Sequence, residues 1–212
     1  MTMIRTMPIA TVMLLTISGT VSAPCEAQSV KTAPKPTKLL DIAGIRPGMK
    51  AANAVAHLRR TGWTVTADPG NSWLEVVEEA VARRRNEIPP TSARSGVYDY
   101  NAAKGEETVR VNIVPTPDGG RVGLVQYRAP QAGRSHEQIR AEVISRYGPS
   151  IYGPRQRVLI APQGKDGETM SLEVDSTGMR LTLSPSSAAD REARALVDRA
   201  VTARLGAVGT SF

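Results

Sequence analysis

The chain has 212 residues, with 27 Lys and Arg against 20 Asp and Glu, eight aromatic residues and one cysteine, for a net charge of +7. One cysteine excludes an intramolecular disulfide and a cysteine-rich zinc framework, and two histidines, His57 and His136, leave little for a histidine-based metal site. The 41% hydrophobic share argues against wholesale disorder, and the length suits one or two small domains with a buried core.

Residues 1–27 read as a secretory signal. Arg5 supplies the basic start, and the uncharged apolar run at 9–21 is shorter than the roughly 20 residues a bilayer span needs. Small-x-small sites end at Ala23 and at Ala27. Pro24 would head the product of the first cut, which favours cleavage after Ala27 over the alternative after Ala23. Ser22 and Pro24 occupy the places where a lipobox before Cys25 needs a Leu-like and a small residue, so no acylation is expected. The expected product is periplasmic or secreted, with no transmembrane segment once the signal is removed. Arg5 and Glu26 leave together, so the charge stays at +7.

Residues 28–38, with Lys31, Lys35, Lys38, Pro34 and Pro36, read as a flexible basic lead-in. A first α+β unit is expected over 39–130. A restricted turn at 44–49 leads into a helix near 50–61, where Ala51, Ala54, Val55 and Leu58 form an apolar stripe. Gly62 ends it, Trp63, Val65 and Ala67 alternate as a short strand, and Asp68-Pro69-Gly70-Asn71 reads as a turn. Ser72 and Glu75 make a capping-box pattern, followed by Trp73, Val76, Val77, Ala80 and Val81 on one helical face. Three strands follow near 97–102, 107–115 and 121–128, with Asp118-Gly119-Gly120 as a hairpin loop.

A second α+β unit is expected over 131–206, followed by a tail at 207–212. Ser135 and Gln138 repeat the capping pattern before a helix to Tyr147, with Ile139, Val143 and Tyr147 on one stripe and Gly148-Pro149 as the stop. Strands near 156–162, 168–175 and 179–184 are joined by turns at 164–167 and at Thr177-Gly178. A last helix near 187–205 is expected to turn Ala193, Leu196, Val197 and Ala200 inward. Clustered strands joined by hairpins imply an α+β fold with helices packed on an antiparallel sheet, and the order is open to a reading as two related helix–three-strand units.

The stretch at 44–62, GIRPGMKAANAVAHLRRTG, resembles the opening motif of the SmpA/OmlA (BamE-like) envelope lipoproteins and the related β-lactamase-inhibitor-protein fold, through Gly44, Gly48, Met49, Val55, Leu58 and Gly62. Lys50 stands where that pattern has a capping Ser or Thr, and Asn53 replaces its acidic partner. The resemblance implies two helices packed on an antiparallel sheet and a binding or assembly role in the cell envelope rather than catalysis.

The chain carries no HExxH, CxxC, GxSxG, SxxK or phosphate-binding P-loop, so no catalytic, metal or cofactor-binding residue is assigned and no cofactor is expected. His57 reads as an edge or surface histidine. The carboxylate pairs Glu78/Glu79 and Glu106/Glu107 are adjacent in sequence and so diverge in a helix or strand, which ordinary solvation explains. Arg59 and Arg60 end one helix and Arg83, Arg84 and Arg85 end another, where cations suit the helix dipole. Brought together they would instead form an anion-binding patch for lipopolysaccharide phosphates, lipid head groups or an acidic protein. Tyr98 and Tyr100, two apart in a strand, are either core or an exposed patch for a partner. Nucleic acid is not expected, since the leader removes the chain from it and aromatic residues are scarce. The function expected is a non-enzymatic binding or assembly module that engages an envelope protein or an anionic envelope component. The alternative is a small periplasmic hydrolase with an unrecognised site.

Overall fold

The computed structural model describes residues 39–91, 94–148, 158–161 and 167–208. The expected leader and lead-in at 1–38, most of the turn at 164–167 and the last residues of the tail lie outside the described residues. The first half contains α1 (Ala51–Arg60), β1 (Thr64–Gly70), α2 (Trp73–Arg84), β2 (Gly96–Lys104), β3 (Glu107–Val114) and β4 (Arg121–Pro130). The second contains α3 (His136–Tyr147), β5 (Val158–Ala161), β6 (Thr169–Asp175), β7 (Gly178–Ser184) and α4 (Ser187–Val208). The class is α+β, with helices and an antiparallel sheet in the predicted order.

Local chemistry starts two of the helices. At α2 the Glu75 amide donates to Ser72 Oγ at 3.5 Å, and the Ser72 amide donates to Glu75 Oε2 at 2.6 Å. At α3 the Gln138 amide donates to Ser135 Oγ at 3.2 Å, and the Ser135 amide donates to Gln138 Oε1 at 2.7 Å. Ser95 also donates to the Glu75 carboxylate through its amide and hydroxyl, which ties the start of α2 to the chain just before β2.

The amide and hydroxyl of Ser72, and then those of Ser95, hold the Glu75 carboxyl at about 2, below its ordinary 4.5. A depressed acid contributes stability that is present above its unfolded value and is lost as pH falls through the folded one. Glu75→Gln keeps an acceptor for the Ser72 amide, as Gln138 does for Ser135, but removes the charge. Circular-dichroism melts of both proteins should therefore show a gap at neutral pH that closes between about pH 4.5 and pH 2. A gap independent of pH would show that the charge has no role at the cap.

α1 has no side-chain cap at Lys50. The β3–β4 hairpin stands in for one. The Ala51 amide donates to Gly120 O at 3.1 Å, the Gly48 amide donates to Val122 O at 2.8 Å, and Lys50 pairs with Asp118 at 3.5 Å. A helix start that lacks the hydroxyl is thus satisfied by tertiary contacts, and the lysine beside its free amides is offset by a carboxylate.

One local expectation is corrected. Asp68-Pro69-Gly70, read as a turn, continues β1, and the register with β2 shifts between Asp68 and Pro69. Proline lacks an amide for the ladder, and an edge strand with a bulge is where that loss is tolerated.

The sheet runs β1-β2-β3-β4-β7-β6-β5, antiparallel throughout. The boundary read at Pro130 falls at the end of β4, and β4 pairs with β7 from Val125–Leu183 to Pro130–Gly178. Two three-strand meanders, β2-β3-β4 and β5-β6-β7, meet at this joint, so the strand order mirrors about it.

The main core gathers Leu58 and Trp63 from the α1 region, Ile139 and Val143 from α3, and Val109, Val111, Val125, Leu172, Leu181 and Leu183 from the sheet. A second, smaller core joins α2 to α4 through Val77, Val81 and Val201, with Trp73, Val197 and Ala200 packed against it. Ala193 and Leu196 of α4, expected to point inward, are half-buried and line a groove with Val114, Gly123 and Pro185. Among the described residues no helix is long and apolar enough to cross a membrane.

Candidate functional site

A half-open cleft of about 510 Å³ lies where α1, α3 and the sheet converge. Its floor is apolar, with Trp63, Val143, Met179 and Leu181. Trp63 follows directly on α1, where its amide donates to Leu58 O at 3.0 Å as the helix closes, and the residue is 8% exposed. The lining carries three cations, Lys104, Arg134 and Arg146, against two carboxylates, Glu107 and Glu142.

Each polar group is held by its neighbours. Arg134, just before the α3 cap, donates to Glu142 at 2.9 Å and to the carbonyls of Gln131 and Pro130, each at 3.2 Å. Lys104 donates to Thr61 O at 3.1 Å, at the end of α1. Tyr127, opposite Val109 and Leu181 in the sheet, lies close to the Glu107 carboxylate. Burial and then the Glu107 charge push its phenol up to about 12. Burial also raises the Tyr147 phenol, against the opposing charge of Arg146, whose guanidinium lies 5.2 Å from the Tyr147 ring centre.

His57 forms part of the wall. Its Nδ1 lies 3.1 Å from Arg60 Nη2. Arginine has only donors, so Nδ1 accepts and the neutral ring carries its proton on Nε2. The ring packs directly on Gly44, where a Cβ would stand 2.2 Å from Nε2. Ala43 and Gly44 occupy a tight turn with φ of 51° and 77°, closed by paired bonds of 2.9 and 2.8 Å between Ile42 and Ile45. The glycine therefore serves both the turn and the close approach of the imidazole.

His57, expected at an edge or on the surface, lies half-buried at the edge of the cleft. One sequence reading changes here. Glu107, expected to be merely solvated, is half-buried beside the Tyr127 phenol, whereas Glu106 is exposed. Lys104, Tyr127, Arg134, Glu142 and Arg146 were not singled out from the sequence, and Tyr147 was read only as part of the apolar stripe of α3. Glu142, Arg146 and Tyr147 share α3, whereas Lys104, Tyr127 and Arg134 come from β2, β4 and the loop before α3, so no local spacing gathers them.

The arginine groups lie on helices with different packing partners: α1 contacts β1 and β4, and α2 contacts α4. Arg83 pairs with Glu79 at 2.5 Å, and Arg84 pairs with Asp198 at 2.8 Å. Arg59, Arg60 and Arg85 are exposed. Among the described residues no hydrogen bond or ion pair joins the two groups.

The tyrosines are separated as well. Tyr98, 54% exposed, sits at the β1–β2 bulge and lines a hollow with Val76, Val97 and Pro115. Tyr100 is half-buried against the main core, opposite Val111. Between them, Asp99 is buried and receives both Nε and Nη2 of Arg110, with Asn112 donating to its other oxygen at 3.2 Å. Beyond Arg110, a shallow hollow is lined by Thr64, Thr66, Asn101, Thr108, Gln126 and Arg128.

Among the described residues no three His, Cys, Asp or Glu side chains gather in a metal-binding arrangement. No protein-family model matches the chain, and neither curated proteins nor solved structures provide a match. The fold and the cleft thus define the class to which a function can be argued: an α+β protein with a half-open, net-positive cleft.

Proposed function

We propose that this chain is an exported, non-enzymatic binding and assembly module of the bacterial cell envelope. It acts in the periplasm or outside the cell on an envelope protein or an anionic envelope component. The observation that carries the reading is the cleft, whose apolar floor is rimmed by net positive charge and whose polar groups are engaged with one another. Such a site offers complementary shape and charge, not an acid, a base and a nucleophile held in relay. The resemblance of residues 44–62 to the SmpA/OmlA proteins supports the same role, and the signal-like leader supports export. The exposed ends at Arg59, Arg60 and Arg83 to Arg85 add long-range attraction for anions.

The convergence of His57, Glu107 and Tyr127 in one cavity favours the second reading, a small periplasmic hydrolase. A sedimentation assay separates the two. Residues 28–212 should pellet with vesicles of equal parts phosphatidylglycerol and phosphatidylcholine at low salt, and be released at about 0.5 M salt. Phosphatidylcholine vesicles alone should leave the protein in solution. Replacing Arg83, Arg84 and Arg85 with Gln should weaken binding roughly tenfold, less than three free charges would, because two of them are already paired. Failure to bind anionic vesicles, together with turnover of ester substrates, would establish the hydrolase instead.

A further inference from the structure

We infer that this chain pairs with a second copy of itself, each copy placing the loop after α2 into the groove beside α4 of the other. The surface lies apart from the cleft and does not depend on what the cleft binds. Ile88, in that loop, is 94% exposed, the most exposed large apolar side chain among the described residues. Pro89 and Pro90 follow it. A residue before proline is held extended, so the isoleucine stands on a stiff segment that loses little freedom on docking. The groove, of about 560 Å³, is lined by Val114, Val122, Pro185, Ala193 and Leu196, which would remove that side chain from water.

Two ion pairs fix the loop relative to the groove. Glu78 with Arg204 at 3.9 Å and Arg84 with Asp198 at 2.8 Å set α2 antiparallel to α4. The C-terminal end of α2 therefore runs toward the first half of α4, which supplies Ala193 and Leu196 to the groove. Loop and groove share one side of the molecule, and the exposure of Ile88 places it outside its own groove. Exchanged between two copies, such neighbouring features close as a two-fold pair. Charge favours a second copy as the occupant. A chain of net charge +7 repels its own kind except where an acidic patch meets a basic one. Asp190 and Glu192 line the groove, while Arg191 and Arg194 of the same helix do not. Asp118 is matched to Lys50 and Arg121. The loop is net positive, with exposed Arg85 and Arg94 against Glu87. Among the described residues Asp190, Glu192, Arg85 and Arg94 enter no ion pair.

Sedimentation equilibrium of the chain 28–212 at about 1 to 100 µM should give twice the mass of one chain. Ile88→Asp should raise the dissociation constant by ~100-fold or more, since each dimer contains the residue twice. Its circular-dichroism spectrum and melt should be unchanged, because the side chain is exposed within its own chain. Asp190→Asn with Glu192→Gln should weaken association roughly tenfold. Residues 28–212 contain no cysteine, so introduced thiols report contacts directly. Ile88→Cys mixed with Ala193→Cys under copper phenanthroline should cross-link into a species of double mass, and neither variant should do so alone.

A monomer at every concentration would overturn the inference and leave the groove to another protein or to the chain's own basic lead-in. A dimer indifferent to Ile88→Asp, or to the two groove substitutions, would overturn it as well, by placing the interface elsewhere. A ladder of larger species would refute the reciprocal exchange in favour of open chains. Cross-linking of either single variant, without cross-linking of the mixture, would show that loop and groove do not meet.

Discussion

Gly178→Ala is expected to destabilise the folded chain by about 3 kcal/mol and to lower its melting temperature by roughly 6–12 °C. A Cβ at this position would stand 2.2 Å from Ala129 O and 3.0 Å from Pro130 Cα. Both obstacles are backbone, on the strand that β7 pairs with, so no rotamer change relieves the overlap. The Pro130–Gly178 pair lies at one end of the β4–β7 ladder, so the strain falls on the joint between the two meanders. Gly206→Ala is the control. It lies within α4 with open space at its Cβ position, and alanine should there be neutral or stabilising by up to about 1 kcal/mol. Thermal melts of the two variants decide the matter. Equal effects would show that β4 and β7 leave room for a methyl group at this position.

Arg110→Met should destabilise more than Asp99→Asn, by about 3 kcal/mol against about 1–2 kcal/mol. The asymmetry follows from burial. The Asp99 side chain is 1% exposed and that of Arg110 is 52% exposed. Removing the arginine leaves a carboxylate inside the protein with, among the described residues, Asn112 as the remaining side-chain donor. Removing the carboxylate leaves a guanidinium that half faces water and can hydrate. Urea unfolding of the two single variants measures both losses. An Asp99→Asn loss equal to or larger than that of Arg110→Met would refute the account of a buried charge held by an exposed partner.

This pair also shows how far sequence reading reaches at the level of one strand. The alternation of Val109, Val111 and Ile113 with Arg110 and Asn112 was legible and predicts β3 with its apolar side inward. That the polar side of the same strand would enclose Asp99 was not legible, because it depends on the β2–β3 register, which sets Asp99 opposite Asn112. The tyrosines fail for the same reason. Two residues apart predicts a shared face, but the bulge at Asp68/Pro69 leaves Tyr98 exposed while Tyr100 packs inward.

Features written into contiguous residues were readable. Ser72 with Glu75 and Ser135 with Gln138 announce helices because donor and acceptor are three residues apart in any chain. The missing cap at Lys50 was equally visible, but its remedy was not. Gly120 and Asp118 satisfy that helix start from about seventy residues away, through a hairpin whose position no local pattern specifies.

Among the candidate site residues, the exposed arginines at the ends of α1 and α2 were legible as helix-terminal cations, and the structure leaves them on separate helices. The cleft lies elsewhere. Its cations and acids come from the end of β2, the start of β3, the loop before α3 and α3 itself. Only the packing of α1 and α3 on the sheet brings them to one mouth.

By itself the sequence determined the four helices, the strands between them, their order and the α+β class. These depend on periodicity, capping and turn chemistry, all of which act within a few residues. The tertiary structure alone decided that β4 would pair with β7, that Pro69 would lie in a bulged edge strand, and that Trp63, Arg134 and Arg146 would share a cavity. Those outcomes come from burying the apolar faces of distant segments against one another. The free energy of that burial belongs to the assembled sheet and helices, and no short window of residues contains it.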